Sequence, residues 1–204
     1  MSPSSSSATP RKRKKRKLPK IVSASEATSL FSAVDDGSDV GIRNRLILEF
    51  MYRAGLRVSE VVALTPRQVH AEGVIDIFDA KGGDGTAYFD ADRVIPLLER
   101  WMRIRSEWAN GSKLLFVRPD GKPVSVRYIQ RLVKKTKDDA GIVGICTPHV
   151  LRHTFATELL EEGLSIVEVQ KAMRHANLAT TEVYLHVRDN ALRSKISQRS
   201  KGGE

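Results

Sequence analysis

One stretch of the sequence, residues 147–187, collects three kinds of side chain that suit phosphate chemistry. The candidates among its residues are His149, Arg152, His153, His175 and Tyr184. A guanidinium presents a planar fork of N–H donors to phosphate oxygens, and an imidazole can donate or carry a proton near neutral pH. A phenol can attack phosphorus and leave a covalent link. These residue types together indicate a site that acts on a phosphate ester.

The first part of this stretch is predicted to be a helix. Thr147 can cap a helix, and Pro148 is favoured at the first helical position. Apolar residues then recur at helical spacing, at Val150, Leu151, Phe155, Leu159 and Leu160. Because Arg152 follows His149 by three positions, the two side chains are expected to share one face of this helix.

Two further helices are predicted to follow. Ser165 and Glu168 have the spacing of a capping box, so a second helix should begin there and end near residues 173–176. A threonine at 180 or 181 can cap a short third helix that carries Tyr184. The stretch therefore predicts three short helices that bring the candidate residues together.

A second arginine of interest precedes this stretch by about ninety residues. A helix is predicted at about 40–53, and Gly55 can end it in a left-handed conformation. The turn then delivers Arg57, and Ser59 is predicted to cap the next helix, which runs through Leu64. Arg57 is thus placed at a corner between two helices.

These motifs and their order resemble the tyrosine recombinase family, which includes the phage integrases. The resemblance is carried by His149-Val-Leu-Arg152-His153-Thr-Phe-Ala-Thr, by His175, by Tyr184 nine residues later, and by Ala54-Gly-Leu-Arg57-Val-Ser-Glu60. It extends from about Lys20 to Val187. It implies a tyrosine recombinase catalytic domain that cuts one DNA strand through a 3′-phosphotyrosine and rejoins it to another, without nucleotide or metal cofactor.

The resemblance also implies a role for each matching residue. Arg57 and Arg152 would clamp the non-bridging oxygens of the scissile phosphate, and Tyr184 would be the nucleophile. His149 would bond the phosphate and help to remove the proton of the nucleophile, and His175 would donate to a phosphate oxygen.

Three further residues complete this candidate site. By resemblance, Glu60 braces the site from behind the arginines and Lys81 protonates the 5′-oxygen that leaves, whereas His153 is expected to support the core. Lys81 lies in Lys81-Gly-Gly-Asp84-Gly, where the family usually continues Lys-Gly-x-Lys-x-Arg, so an acid stands where a base is common.

Each of these residues also has an ordinary structural interpretation. Arg57 could lie over the surface, Glu60 and Lys81 could be solvated charges, and His149 and Tyr184 could be core side chains. His149 and His153 have the i, i+4 spacing of a helical zinc site, but no glutamate lies between them and Arg152 would repel a cation. A metal site is therefore not predicted.

The charge of the chain favours a polyanionic partner. The net charge is +10, and the run Arg11, Lys12, Arg13, Lys14, Lys15, Arg16 and Lys17 supplies seven of these charges. Residues 1–19 are rich in serine and charge and offer little to bury, so we predict a disordered tail that contacts DNA. A solubilising tail and a nuclear-import signal are alternatives. A membrane is the weaker partner, since the tail has no apolar face.

A cytoplasmic, nucleoid-associated location is the expectation from the rest of the composition. The single cysteine, Cys146, cannot form an internal disulfide, and no apolar run reaches the length of a membrane span. The amino terminus also lacks the apolar stretch of a signal peptide.

The predicted fold class is mainly α with a small β-hairpin or sheet. A capping box at Ser23-Ala-Ser-Glu26 begins the first helix, and helices are also predicted from about 92 to 108 and from 126 to 140. The hairpin is predicted over 73–89, with a glycine-rich tip at 81–85. A short strand is expected at 113–117. Tyr52, Tyr88 and Tyr128 fall in apolar stripes and are predicted to be structural.

Three regions are predicted in total: the tail 1–19, a catalytic domain at 20–187, and a C-terminal segment at 188–204 with a polar helix. The resemblance implies double-stranded DNA as partner, a homo-oligomer (a tetramer) on DNA that exchanges this C-terminal segment between protomers, and accessory DNA-bending factors. Family members usually carry a DNA-clamping domain before the catalytic one, so the chain is either a minimal integrase or a truncated piece.

Two rival functions remain open at this point. A type IB topoisomerase-like enzyme uses a similar set of residues but rejoins the original strand. A non-catalytic DNA-binding regulator could retain the same fold, although the six catalytic candidates are all present in the sequence.

Overall fold

Helices make up most of the described chain, as predicted, and a small antiparallel sheet lies among them. The computed structural model describes residues 20–78 and 84–174. Its elements are α1 (Ala24–Ser32), α2 (Asp39–Arg53), α3 (Val58–Ala63), a 3₁₀ turn (Pro66–Gln68), β1 (Val69–His70), β2 (Val74–Ile77), β3 (Gly85–Tyr88), α4 (Ala91–Trp108), α5 (Val126–Asp139), α6 (Pro148–Glu161) and α7 (Ile166–Ala172).

Helix α2 forms the centre of the fold. Leu46, Ile47, Leu48, Phe50 and Met51 are all fully buried, although they point in different directions around the helix. A helix that is apolar on most of its circumference must be covered on most sides. Accordingly, α2 packs against α3, α4, α5 and α6.

The helix starts agree with their capping signals. The Ser23 hydroxyl accepts from the Glu26 backbone N–H, and the Glu26 carboxylate accepts from the Ser23 N–H at 2.9 Å. The same reciprocal pair joins Ser165 and Glu168 at the start of α7. At α6, the Thr147 hydroxyl accepts from the Val150 N–H. These short polar side chains therefore fix where three of the helices begin.

The sheet contains the predicted hairpin and one strand more. β2 pairs antiparallel with β3, with Ile77 opposite Gly85, and the short strand β1 pairs with the other edge of β2. The strand predicted at 113–117 was wrong, because only Val117 makes an isolated bridge, with Pro123. Leu115, Phe116 and Val117 are instead buried core residues, so their apolar character reflects burial and not a strand ladder.

The corner between α2 and α3 depends on Gly55. Its φ is +58°, in the left-handed region that favours glycine. A Cβ at this position would lie 2.4 Å from Cδ1 of Phe155 on α6, so the corner is also closely packed. The prediction that Ser59 caps α3 was wrong. Arg57 is the N-cap residue, and the Glu60 carboxylate accepts its backbone N–H at 2.7 Å.

Two of the three tyrosines predicted to be structural are tied into the core. The Tyr52 hydroxyl on α2 donates to the carboxylate of Glu158 on α6. The Tyr128 hydroxyl on α5 donates to the side-chain oxygen of Asn44 at 3.0 Å. Tyr88 differs, since it is 58% exposed on β3, so placing it in an apolar stripe was wrong.

Several sequence predictions lie outside the described residues. They concern the basic tail at 1–19, Lys81 at the hairpin tip, His175, Tyr184 with its helix, and the C-terminal segment 188–204. Among the residues that are described, no helix is both long and apolar enough to cross a membrane.

The close packing at Gly55 makes a quantitative prediction. Gly55→Ala adds a methyl group at a positive φ and against the Phe155 ring, so strain and overpacking together should lower the free energy of unfolding by about 2–4 kcal/mol. Gly141→Ala is the matched control: its φ is +68°, but no atom lies within 4 Å of the added Cβ, so the loss should be about 1 kcal/mol. Urea unfolding measures both. Equal losses would show that the contact with Phe155 contributes nothing.

Candidate active site

Arg57 is held at its backbone and at its side chain by one carboxylate. Its backbone N–H donates to Oε2 of Glu60 at 2.7 Å, and its Nη1 donates to Oε1 of the same residue at 2.6 Å. The Glu60 side chain is 4% exposed, whereas that of Arg57 is 30% exposed. A buried acid thus fixes an arginine whose guanidinium reaches the surface.

Arg152 approaches the same acid from helix α6. Its side chain is buried, and its guanidinium donates to the backbone carbonyls of Gly55 and Met173. Its Nη1 lies 3.8 Å from Oε2 of Glu60. The α2–α3 corner, the middle of α6 and the end of α7 therefore meet at this guanidinium. The two arginines that are about ninety residues apart in the chain are neighbours in the fold.

A third arginine, Arg174, completes the cluster and was not predicted from the sequence. Its Nη2 donates to Oε2 of Glu60 at 2.9 Å and to the Gly55 carbonyl at 3.3 Å. Its own carbonyl accepts from Nη2 of Arg57 at 3.0 Å. The available signal was its position next to His175, but the partner Glu60 lies 114 residues away, which no local pattern reveals.

The cluster has a positive electrostatic balance. Arg57, Arg152 and Arg174 carry three positive charges against the one negative charge of Glu60. Burial alone would raise the pKa of Glu60, but the charge of Arg174, the backbone N–H of Arg57 and the charge of Arg152 outweigh burial and hold that pKa below its usual value. Glu60 is therefore ionised at neutral pH. The four side chains then carry a net charge of +2, which suits an anion with two negative charges.

The two histidines of α6 differ in environment. His149 is exposed in the first turn, three residues before Arg152. His153 is half-buried, and burial together with the charges of His149 and Arg152 lowers its pKa. His153 is thus favoured in its neutral form inside the fold. His149 is the one placed to meet a ligand from solvent.

The metal alternative has no support in the described part of the chain. Residues 20–78 and 84–174 contain no group of three or more His, Cys, Asp or Glu side chains that could hold a metal ion. His149 and His153 are about one helical turn apart, and Arg152, with its positive charge, lies between them in the sequence. The charge that could act on a ligand here comes from the arginines.

The hairpin reaches the cluster through Arg174. A Cβ added to Gly85, the first residue of β3, would lie 3.0 Å from Cδ and 3.2 Å from Cγ of Arg174. β3 therefore packs on the aliphatic part of the Arg174 side chain. In the sequence, Lys81 precedes Gly85 by four positions, and His175 directly follows Arg174.

Curated proteins similar to this chain include bacterial recombinases. Tyrosine recombinase XerD of Ralstonia nicotianae is 34% identical over 198 residues, which cover 92% of this chain and 62% of the relative. Tyrosine recombinase XerC of Vibrio cholerae is 34% identical over 177 residues, which cover 86% of this chain and 56% of the relative. The chain thus spans less than two thirds of the length of these relatives.

Solved structures share the fold. The crystal structure of XerA recombinase superposes with a TM-score of 0.78 at 30% identity, covering 91% of this chain and 66% of that one. The post-cleavage complex of the XerH site-specific recombinase with its palindromic difH substrate gives a TM-score of 0.78 at 26% identity, covering 89% of this chain and 53% of that one.

The sequence also matches the family model described as the phage integrase family over residues 20–191. This match includes all the motifs on which the resemblance to the tyrosine recombinases was based. Together with the relatives, it assigns the family: this chain belongs to the phage integrase family of tyrosine recombinases.

Proposed function

We propose that the protein is a site-specific DNA recombinase that cleaves and rejoins strands through a 3′-phosphotyrosine intermediate. The observation that carries this proposal is the convergence of Arg57 and Arg152 on Glu60, from two segments about ninety residues apart. Such a buried, positively charged cluster is expected where a phosphate must be held while negative charge develops on it. Relatives that are named recombinases, one of them bound to its DNA substrate, support the same activity.

In this proposal the two arginines bind the non-bridging oxygens of the scissile phosphate. Attack on phosphorus gives a pentacoordinate transition state that carries more negative charge on these oxygens than the ground state. Donors that are already fixed stabilise that charge without having to reorganise. Glu60 and the carbonyls of Gly55 and Met173 fix the two guanidiniums before any DNA arrives.

Tyr184 supplies the nucleophile. Its phenol oxygen forms the new bond to phosphorus, the bond to the 5′-oxygen breaks, and the strand remains attached to the protein through its 3′-phosphate. We propose that His149 accepts the phenol proton, because it is exposed in the helix that carries Arg152. His175 would donate a hydrogen bond to a phosphate oxygen. A 5′-hydroxyl of another strand then attacks the phosphotyrosine, which releases Tyr184.

Lys81 is proposed to give a proton to the leaving 5′-oxygen. The packing of Gly85 against Arg174 supports this role, since it sets the hairpin beside the arginine cluster only four residues after Lys81. Asp84 is exposed at the start of the returning strand. Lys81 is therefore the hairpin residue whose charge suits this proton transfer.

The partner is proposed to be double-stranded DNA. The run from Arg11 to Lys17 would add phosphate contacts that steepen the salt dependence of binding. By family resemblance, protomers would assemble on DNA as a tetramer, exchange the segment at 188–204 and work with accessory DNA-bending factors. Such a protein acts in the cytoplasm at the nucleoid.

The central prediction concerns the covalent intermediate. On a nicked attachment-site DNA that lets the short fragment diffuse away, the wild type should accumulate a protein–DNA adduct that survives denaturant. Tyr184→Phe should bind this DNA equally well and form no adduct, because only the nucleophilic oxygen is removed. Gel mobility under denaturing conditions measures the adduct.

A matched control for this substitution is Tyr88→Phe, since Tyr88 is exposed on β3 and has no role in the proposed mechanism. It should form the adduct at the rate of the wild type. An adduct formed by Tyr184→Phe would show that the nucleophile is wrongly assigned. A wild type that binds its site and forms no adduct would favour a DNA-binding regulator.

The role of Lys81 predicts a specific chemical rescue. Lys81→Ala should slow adduct formation by about 10²–10⁴, the usual contribution of a general acid. Replacing the leaving 5′-oxygen with sulfur should restore most of the rate, because a thiolate departs without a proton. Lys122→Ala, at an exposed position, should cleave both substrates like the wild type. A rate on the sulfur substrate that stays as low as on the oxygen substrate would rule out Lys81 as the acid.

A further inference from the structure

Arg174 has a conformation that is costly for an arginine. Its φ is +51°, in the left-handed region that side chains other than glycine, asparagine and aspartate seldom adopt. Its side chain is 8% exposed, and its Nε–H is buried without a hydrogen-bond partner. Strain and an unpaired donor in one buried residue are expected to persist only where the residue does something that the fold or the function needs.

Arg174 bonds the same acceptor groups that Arg152 bonds or approaches. It shares two acceptors with Arg152: the Gly55 carbonyl accepts from both guanidiniums, and Oε2 of Glu60 lies 2.9 Å from Arg174 but 3.8 Å from Arg152. Arg174 therefore bonds the carboxylate oxygen that Arg152 also approaches. The distance from Arg152 to that oxygen is longer than a normal hydrogen bond.

Arg174 also changes the net charge of the arginine cluster. Glu60 holds Arg57 in place, but its negative charge would also cancel one of the two positive charges that are available for a phosphate. With Arg174 present, the cluster keeps a net charge of +2, and without it the balance falls to +1. In the transition state the phosphate carries about two negative charges, so the third arginine restores the match.

Arg174 is also joined to Arg57 and to the hairpin. Its carbonyl accepts from Nη2 of Arg57 at 3.0 Å, and its Cγ and Cδ pack against Gly85 at the start of β3. A single residue thus touches the acid, one phosphate-binding arginine and the strand that follows Lys81.

We propose that Arg174 is a positioning residue for DNA strand cleavage: it neutralises Glu60 and so leaves the charges of Arg57 and Arg152 available to the scissile phosphate. This inference rests on the proposed function. It assigns a third arginine to the site, acting through Glu60 and not by contact with the reacting atoms.

The experiment compares Arg174→Met, Glu60→Gln and the double variant in single-turnover cleavage of the nicked DNA at saturating protein. Arg174→Met should slow cleavage roughly tenfold to a hundredfold. This loss is smaller than the about 10²-fold to 10³-fold loss of rate expected when a donor that contacts the phosphate directly is removed. The protein concentration that gives half-maximal cleavage should not change. Adding Glu60→Gln should then restore at least about tenfold of the rate, because the charge that Arg174 balanced has gone. The single amide oxygen can still accept one of the two N–H groups of Arg57 that Glu60 binds.

A purely structural role also predicts recovery in the double variant, because Glu60→Gln removes the buried charge that Arg174→Met leaves unpaired. Thermal unfolding separates the two roles: a structural role requires the slow variants to be partly unfolded at the assay temperature, whereas a positioning role slows cleavage by protein that is fully folded. Arg174→Gly provides a variant with a relaxed backbone, since glycine accepts the positive φ. It should remain fully folded at the assay temperature, yet cleave as slowly as Arg174→Met.

The outcomes separate this inference from the proposed function. A wild type that forms no adduct overturns both. If the wild type forms the adduct, the inference alone is overturned by Arg174→Met cleaving at the wild-type rate, or by the double variant cleaving no faster than Arg174→Met. Arg174→Lys keeps the charge without the planar fork, so it should cleave faster than Arg174→Met.

Discussion

The buried carboxylate of Glu60 is the constraint on which the rest of the site depends. An ionised acid taken out of water is stable only if it is paired and hydrogen-bonded. Glu60 meets this requirement with the backbone and side chain of Arg57 and with the side chain of Arg174, while Arg152 lies within 3.8 Å. Because these partners come from α3, from α6 and from the end of α7, the acid ties three separate elements to one point.

The fold makes this meeting possible by sharp turns beside rigid helices. Gly55 turns the chain between α2 and α3 with a positive φ, and its carbonyl accepts from both Arg152 and Arg174. The carbonyls of Met173 and Arg174, at the end of α7, accept from Arg152 and Arg57. Carbonyls at a helix end have no partner within the helix and carry partial negative charge. They hold the two guanidiniums without cancelling a full positive charge.

The local parts of this structure could be predicted from sequence because each has a local cause. The capping boxes at Ser23 and Ser165 and the pairing of β2 with β3 follow from short-range patterns. The mispredicted strand at 113–117 shows the limit of such patterns, since the apolar run from Leu114 to Val117 satisfies a buried loop as well as a strand. The fold class followed from the helices, which make up most of residues 20–78 and 84–174.

The candidate site was predictable only where a motif carried it. Arg57, Glu60 and Arg152 were found through the family resemblance, and the structure shows that they are neighbours. Arg174 was missed because its role depends on a partner 114 residues away and on a backbone conformation that the sequence disfavours for arginine. Residues that act through tertiary contacts alone leave no periodic or capping signal.

The most direct test of this account is the position of the scissile phosphate relative to the arginine cluster. A crystal structure of Tyr184→Phe bound to intact attachment-site DNA would show it. The account predicts that non-bridging oxygens of one phosphate lie within hydrogen-bond distance of Arg57 and Arg152, while Glu60 stays bonded to Arg57 and Arg174. A phosphate bound away from these guanidiniums, or a Glu60 released from both arginines, would contradict it.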